Sequence, residues 1–543
     1  MCAAAAWTVA VAGAAPLRAQ TQAQTRDSTS RGLLGVSALP LPGSETETTL
    51  RLRELLGLDD DAGTLLRSVG TRMTDRLGER DGIAAFTPEL MVGYNSAHAW
   101  GFNDGPLRAG RGRNMLASAG VALRRGRVTA VLVPQLVYEA NLAFQTIPYP
   151  QPSPPVRNVW ANPFYPLPTS MDYPQRFGDE ARGALTFQGR VAVDVGAGVR
   201  VGVGHENRWW GPGVRNAMLL SSNAPAFAQI FVESARPFET RIGAFEYQWI
   251  LGRLEESEFF DFDSRNDARS LNALGVTWRP VWEGPWPTLG ATRGVMARRA
   301  PGLATMLDVW RDVGRPWSRS ADSAKARDQI FAMFSRWRFP EQGVEAYVEW
   351  ARFEQVASLR DFLEQPGHMQ GYAVGAQWAQ PRWGGMLHFQ TEFSYLEPSP
   401  STRVRPIGTS FSSPAVPHGW THQGQTLGPS IGPAASSQYF AADYRAPDWR
   451  AGLSLGRWRR DANYRFLNPL PPKREDLQLW ASLRGGMAIG TWEALVEFTE
   501  GVRLNHLYQA YEFGTPDGRT EGVDLLNRSL TLTLTPRLPR VQR

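Results

Sequence analysis

The sequence predicts an all-β protein: a transmembrane, outer-membrane antiparallel β-barrel of about eighteen strands with a small N-terminal helical periplasmic element. Three observations carry that prediction. From about residue 84, apolar residues recur with period two in segments of about ten residues, the dyad signature of a membrane barrel. Glycine and tryptophan are dense, 53 and 20 of 543 residues. Mean hydropathy is −0.33, with no apolar run near 20 residues past residue 17, which excludes a helical transporter. Apolar residues at 42% and aromatics at 11% exclude bulk disorder. One cysteine, Cys2, excludes a disulfide framework and a Cys-based zinc site.

Residues 1–17 are uncharged and rich in Ala and Val, and Pro16-Leu17-Arg18-Ala19 leads into the polar Gln20-Thr21-Gln22. This predicts a signal peptide over 1–19 cut after Ala19, and hence export. Residues 20–83 read as a polar lead-in and a short helical element. Ser44-Glu45-Thr46-Glu47 matches a capping box. Leu52, Leu55 and Leu56 then give one turn of an amphipathic helix that breaks at Gly57 and Asp59-Asp60-Asp61. A second short helix is expected to carry Leu65 and Leu66. So small an element cannot hold a core alone and must pack on the rest.

Residues 84–543 are assigned to the barrel and its long loops. Phe86, Pro88, Leu90, Val92 and Tyr94 share one parity; so do Val128 to Tyr138, Phe245 to Leu251, Leu387 to Tyr395, and Leu530 to Leu534, the last opposite Thr531, Thr533 and Thr535. The apolar parity is expected to face lipid and the other a polar lumen. Similar windows, from one near 115 to those near 494, 507 and 530, number about eighteen. A propeller would show a repeat of about 40–50 residues, and none is found. Two long segments, 145–182 and 397–436, are rich in proline and are expected at the extracellular end, because periplasmic turns are short.

The motif that breaks periodicity is Asn207-Arg208-Trp209-Trp210-Gly211-Pro212-Gly213, followed by Ser221-Ser222-Asn223-Ala224-Pro225. Adjacent tryptophans cannot both face lipid, and Pro212 ends the ladder, so the segment must leave the wall. Indole faces beside amide and guanidinium groups suit sugar, by stacking on C–H faces and hydrogen bonding to hydroxyls. The candidate polysaccharide-binding residues are Asn207, Arg208, Trp209, Trp210 and Asn223, with Trp420, His422 and Gln425 from the late loop. The alternative is a folded-in loop packed for stability.

With these residues the chain resembles the capsule assembly protein Wzi family of outer-membrane barrels. Arg338-Phe339-Pro340, Glu345 to Arg352 and His422-Gln423-Gly424-Gln425-Thr426-Leu427-Gly428 agree with it, over roughly residues 190–510. The resemblance implies an eighteen-stranded barrel, a periplasmic helical piece and a surface lectin that holds capsular or other exopolysaccharide. One departure is the ending Arg540-Val541-Gln542-Arg543 in place of a terminal aromatic residue; the assembly signal is then either lacking from this ending or expected at the internal strand 525–535.

Enzyme chemistry finds little support. None of the seven histidines stands in a metal-ligand spacing such as H-E-x-x-H, so no metal and no cofactor are expected. Gly424 occupies the position where an outer-membrane phospholipase would carry its serine, and G-x-S-x-G is absent. Glu345 with Glu349, or Glu255 with Glu256, are the carboxylate pairs available for glycoside cleavage. Lysine occurs only at Lys325 and Lys473, so 56 of the 58 cationic residues are arginine. That excess reflects either GC-rich coding or binding of an acidic polymer through the guanidinium fork. The expected partners are surface polysaccharide, outer-membrane lipid, the barrel-assembly machinery and polysaccharide export proteins, for a monomer without nucleic acid. The rival reading is a passive porin-like channel for small solutes.

Overall fold

In the computed structural model, the described residues are 39–58, 65–77, 81–146, 171–261, 263–281, 286–298, 302, 327–353, 358–399, 410–413, 415–461, 475–508 and 523–536. The expected signal peptide and most of the 145–182 loop lie outside them. Eighteen antiparallel strands, from Gly82–Asn95 to Leu525–Pro536, follow one another around a closed barrel. Closure pairs the first strand with the last, Leu90 opposite Leu534 through Asn95 opposite Ser529. No edge is left unpaired, as a spanning sheet requires. Turns at one end are as short as 126–127, 383–384 and 490–491, while the other end carries connections such as 96–111, 207–226 and 396–435.

Alternation sets the outer face as the sequence predicts. Leu132, Leu136, Phe389, Phe393, Phe440, Leu453 and Leu530 are exposed outward, while Val133, Gln135, His388 and Glu392 between them are buried inward. Three details differ. A β-bulge between Phe86 and Glu89 shifts the phase, so Phe86 turns inward onto Leu39 and Met73 while Val92 and Tyr94 remain outside. The window near 507 is no strand: His506–Tyr508 is a 3-10 turn, and the strand starting at Gly82 completes the eighteen. Leu65 and Leu66 do not sit on a helix. Leu66–Ser68 is a short strand, because its backbone pairs with Arg208–Trp210.

The helical element packs inside the barrel, toward the short-turn end. Helix α1, Glu45–Leu55, starts at Ser44, whose Oγ accepts from Glu47 N–H at 3.2 Å. Glu47 reaches back one residue further than expected, accepting from Gly43 N–H at 2.6 Å. The helix ends with Gly57 at φ +68. Gly57 N–H donates to Glu54 and Leu58 N–H to Arg53, the paired bonds of a glycine C-cap. Helix α2, Val69–Leu77, lays Val69 and Met73 against Val131 and Val133 of the wall. Glu54 pairs with Arg72 at 3.2 Å and Arg336 at 3.4 Å, and Glu345 with Arg51 and Arg336. These buried ions satisfy one another, the condition for tolerating them.

The lumen is not uniformly polar. Along strands 227–395 it is filled by an apolar core in which Phe231, Ile250, Leu271 and Ile330 of the wall meet Trp210, Met218, Leu219, Trp420 and Leu427 from inward-folded loops. Along strands 436–536 and 82–139 it is lined by Ser454, Ser482, Thr499, Ser529 and Thr531, around a cavity of about 420 Å³.

Candidate functional site

The segment 207–226 leaves the wall as its sequence requires and crosses the lumen. Carboxylates hold its backbone. Glu392 accepts from the N–H groups of Val214, Arg215 and Asn216 at 2.8, 3.1 and 2.9 Å, and Glu349 from Met218 N–H at 3.0 Å. Gly211 has φ +117, and a Cβ there would lie 2.6 Å from Glu349 Oε2, so only glycine fits. The Gly213 carbonyl gathers Trp209 Nε1 at 3.1 Å and Arg67 Nη2 at 3.0 Å. Of the carboxylate pair singled out in the sequence, Glu349 is engaged by this segment and Glu345 by Arg51 of helix α1 and Arg336 of the wall.

Arg208 is fully buried and spends its donors on Gln229 at 2.6 Å, Gln248 at 2.8 Å, Glu206 at 3.0 Å and Glu233 at 3.2 Å. Trp210 Nε1 donates to Gln248 at 2.9 Å, and the Arg67 guanidinium lies over Trp209, 5.2 Å from the ring centroid. Neither indole face is open. Asn207 donates to Ala224 O at 2.7 Å.

The structure brings the two predicted segments together. Asn223 Nδ2 donates to Thr426 O at 2.9 Å and Thr426 Oγ1 at 2.8 Å, across 203 residues of sequence, and Ser221 N–H donates to Leu427 O at 2.7 Å. Gln425 Nε2 reaches Gly105 O at 3.1 Å. Trp420 is buried, with Nε1 on Asp328 at 2.6 Å. His422 accepts at Nδ1 from Glu255 N–H at 3.0 Å and faces Ala226 O through Nε2 at 3.2 Å. That pattern fixes the neutral Nε2–H tautomer, and burial, with Arg269 nearby, holds its pKa down to about 3. Of the eight candidates only Asn223 and Gln425 keep part of their surface in solvent.

Of the groups at the outer end of this plug, the sequence singles out only Glu256, as half of a carboxylate pair with Glu255. His418 Nε2 meets Glu256 Oε2 at 2.9 Å, and Asp172 accepts from Ser257 N–H at 2.6 Å. Burial pushes His418 down to about 2 and Glu256 up to about 8. Near neutral pH the pair is an uncharged imidazole and a protonated carboxyl, and charged partners such as Asp261 and Asp172 reinforce the shift of Glu256. Among the described residues, no cluster of three or more His, Cys, Asp or Glu side chains is placed to hold a metal ion.

Comparison with known proteins agrees with this architecture. The model of the capsule assembly protein Wzi family matches residues 102–485, and the chain belongs to that family. Its fold is similar to that of Wzi, an outer membrane protein involved in group 1 capsule assembly in Escherichia coli and a carbohydrate-binding β-barrel. The two share 12% identity at a TM-score of 0.53, over 96% of this chain and 98% of that one. The outer membrane protein opdK of Pseudomonas aeruginosa overlays with 8% identity and a TM-score of 0.36, over 83% and 98%. No curated protein sequence matches the chain. The protein is an outer-membrane β-barrel.

Proposed function

We propose that this Wzi-family barrel is a non-enzymatic binder of capsular or other exopolysaccharide that helps attach or assemble it at the cell surface, acting as a monomer. The observation that carries the reading is the plug. Two loop segments joined at Asn223 and Thr426, seated on a buried Arg–Glu lattice, close one half of the lumen with apolar side chains. A channel has no use for such a filling; a rigid display platform does. Within it Arg208, Trp209, Trp210, Trp420 and His422 fix the shape of the end, Asn207 ties the crossing loop, and Asn223 and Gln425 offer their part-exposed amides to sugar. Contact through a few amides gives weak affinity per site, which a polymer engaging many barrels compensates.

The test is retention. Cells carrying Asn223→Ala with Gln425→Ala should shed polysaccharide into the medium while the heat-modifiable gel shift shows an intact barrel. Unchanged retention in the double variant would overturn the site, and unchanged retention after deletion of the gene would overturn the function. The cavity on the other side of the lumen favours one rival, a porin-like channel for small solutes. Stable conductance of the purified protein in planar bilayers would establish that rival; the plugged reading expects none.

A further inference from the structure

The roughly 420 Å³ cavity on the open side of the lumen falls within the ligand-sized range. It lies inside the barrel, against the flank of the plug segment 207–226, which supplies Asn207, Arg215 and Ser222 to its lining. It runs along the final strand from Ser529 beneath the 96–111 connection to Thr535 and Pro536 at the short-turn end, about 20 Å at 3.3 Å per residue. Its inner end carries buried polar atoms that the protein leaves without partners. Asn114 Oδ1, Asn207 Oδ1 and Ser222 Oγ line it and accept or donate no hydrogen bond among the described residues, although their residues are 3, 2 and 6% exposed. Orphaned buried groups of this kind call for an occupant that supplies donors and acceptors.

The same lining carries Arg215. Its guanidinium lies 4.7 Å from the Phe102 ring centroid, 4.5 Å from Tyr439 and 5.9 Å from Trp480. Trp100 closes the box, 4.9 Å from Phe102 and 5.6 Å from Trp480. The rings fix the guanidinium plane, yet its N–H groups donate to nothing among the described residues, in contrast to the fully engaged Arg208. Rings, free donors and orphan acceptors in one cavity match a sugar, which presents C–H faces and hydroxyl edges. The charge balance selects among sugars: Glu45, Glu89, Asp104, Glu493 and Glu497 stand with Arg215, Arg450 and Arg484 in the lining, which leaves no excess of positive charge to draw in a uronate or phosphosugar.

We propose that this lumen cavity is a second, internal saccharide site, entered from the short-turn end and built for one or two neutral hexose units, with Arg215, Asn114, Asn207 and Ser222 as its polar contacts. The proposal does not rest on the surface-binding reading; the two share only Asn207, here as an unpartnered acceptor facing the cavity.

The test uses the purified full-length barrel in a detergent without a sugar headgroup, with maltose and cellobiose as probes and glucuronate as the charged control, followed by calorimetry. At least one neutral disaccharide should bind, and glucuronate should not compete. Arg215→Met should weaken binding about tenfold, the loss of a charge-assisted hydrogen bond, and Ser222→Ala by a smaller factor. Neither side chain makes a protein hydrogen bond that the substitution would break, so folding serves as the internal control. Failure of both disaccharides to bind, or binding unaltered in both variants, would leave the cavity as hydrated lumen and overturn the proposal. Tighter binding of glucuronate would overturn its neutral specificity. Polysaccharide retention by Arg215→Met cells separates this site from the surface one: it should stay at the wild-type level.

Discussion

The two halves of the lumen are built by the same strand alternation and use it in opposite ways. Along 227–395 the inward positions include Phe231, Ile250, Leu271, Ile330 and Phe334, packed against crossing loops, with buried Gln229, Glu233, Gln248, Glu349 and Glu392 among them holding those loops. Along 436–536 the inward positions are Ser454, Ser482, Thr499, Ser529, Thr531 and Thr533, and they face a cavity. A strand that is apolar on both faces is a strand covered on both; one that alternates cleanly has water or a ligand on one side. The barrel is thus part protein core and part vestibule, and its stability should be concentrated in the first part.

Four measurements break or sharpen that contrast. The largest effect is expected for Arg208→Ala in the packed half, which strands the buried Glu206 and Glu233. It should cost about 3–5 kcal/mol, read as a lower urea midpoint with unchanged slope for the gel-shift transition. Next, Gly211→Ala forces an alanine into positive φ against Glu349 and should cost about 1–3 kcal/mol in the same assay. If either is silent, the plug is not what holds the barrel.

The third concerns pH at the outer end. Glu256 keeps its proton to about 8 in the folded protein, whereas an unfolded chain releases it near the ordinary glutamate value of 4.5. The folded state therefore binds more protons between these values, and its contribution is lost as pH rises through that window. His418 works in the other direction: it refuses a proton until about 2, against 6.5 when unfolded, so its contribution is lost as pH falls below 6.5. Glu256→Gln should flatten the fall in stability between pH 4.5 and about 8, and His418→Gln the fall below pH 6.5. The smallest effect belongs to the open half, where Thr533→Val should change the urea midpoint by no more than about 0.5 kcal/mol in equivalent stability.

What the sequence reveals follows the range of the interactions. The capping box at Ser44 and the glycine stop at Gly57 depend on neighbours a few residues apart, and both are readable. So are the outward faces, because lipid imposes one chemistry on all of them. The departure of Trp209 and Trp210 from the wall is readable too, but their destination is not. Their partners, Leu66 and Arg67 in one direction and Gln248 in the other, are joined by pairing that no local pattern encodes. The same holds for the link from Asn223 to Thr426. One signal for the filled half was present: Ile330-Phe331-Ala332-Met333-Phe334 is apolar at both parities, the mark of a strand with cover on its inner face. Phe86 misled for the opposite reason, since a bulge changes phase without any change in composition.

The short pairing of Leu66–Ser68 with Arg208–Trp210 also bears on how the chain reaches its final form. It ties an N-terminal segment to a mid-chain loop inside a cylinder whose last strand must still arrive and zip onto the first. Contacts of such wide sequence separation are slow to form, because the entropy of closing long loops is lost before the pairing energy is gained. Closure of the seam between Gly82–Asn95 and Leu525–Pro536 removes every lateral route into the lumen, so an N-terminal piece that arrives after it has only the short-turn end to enter by.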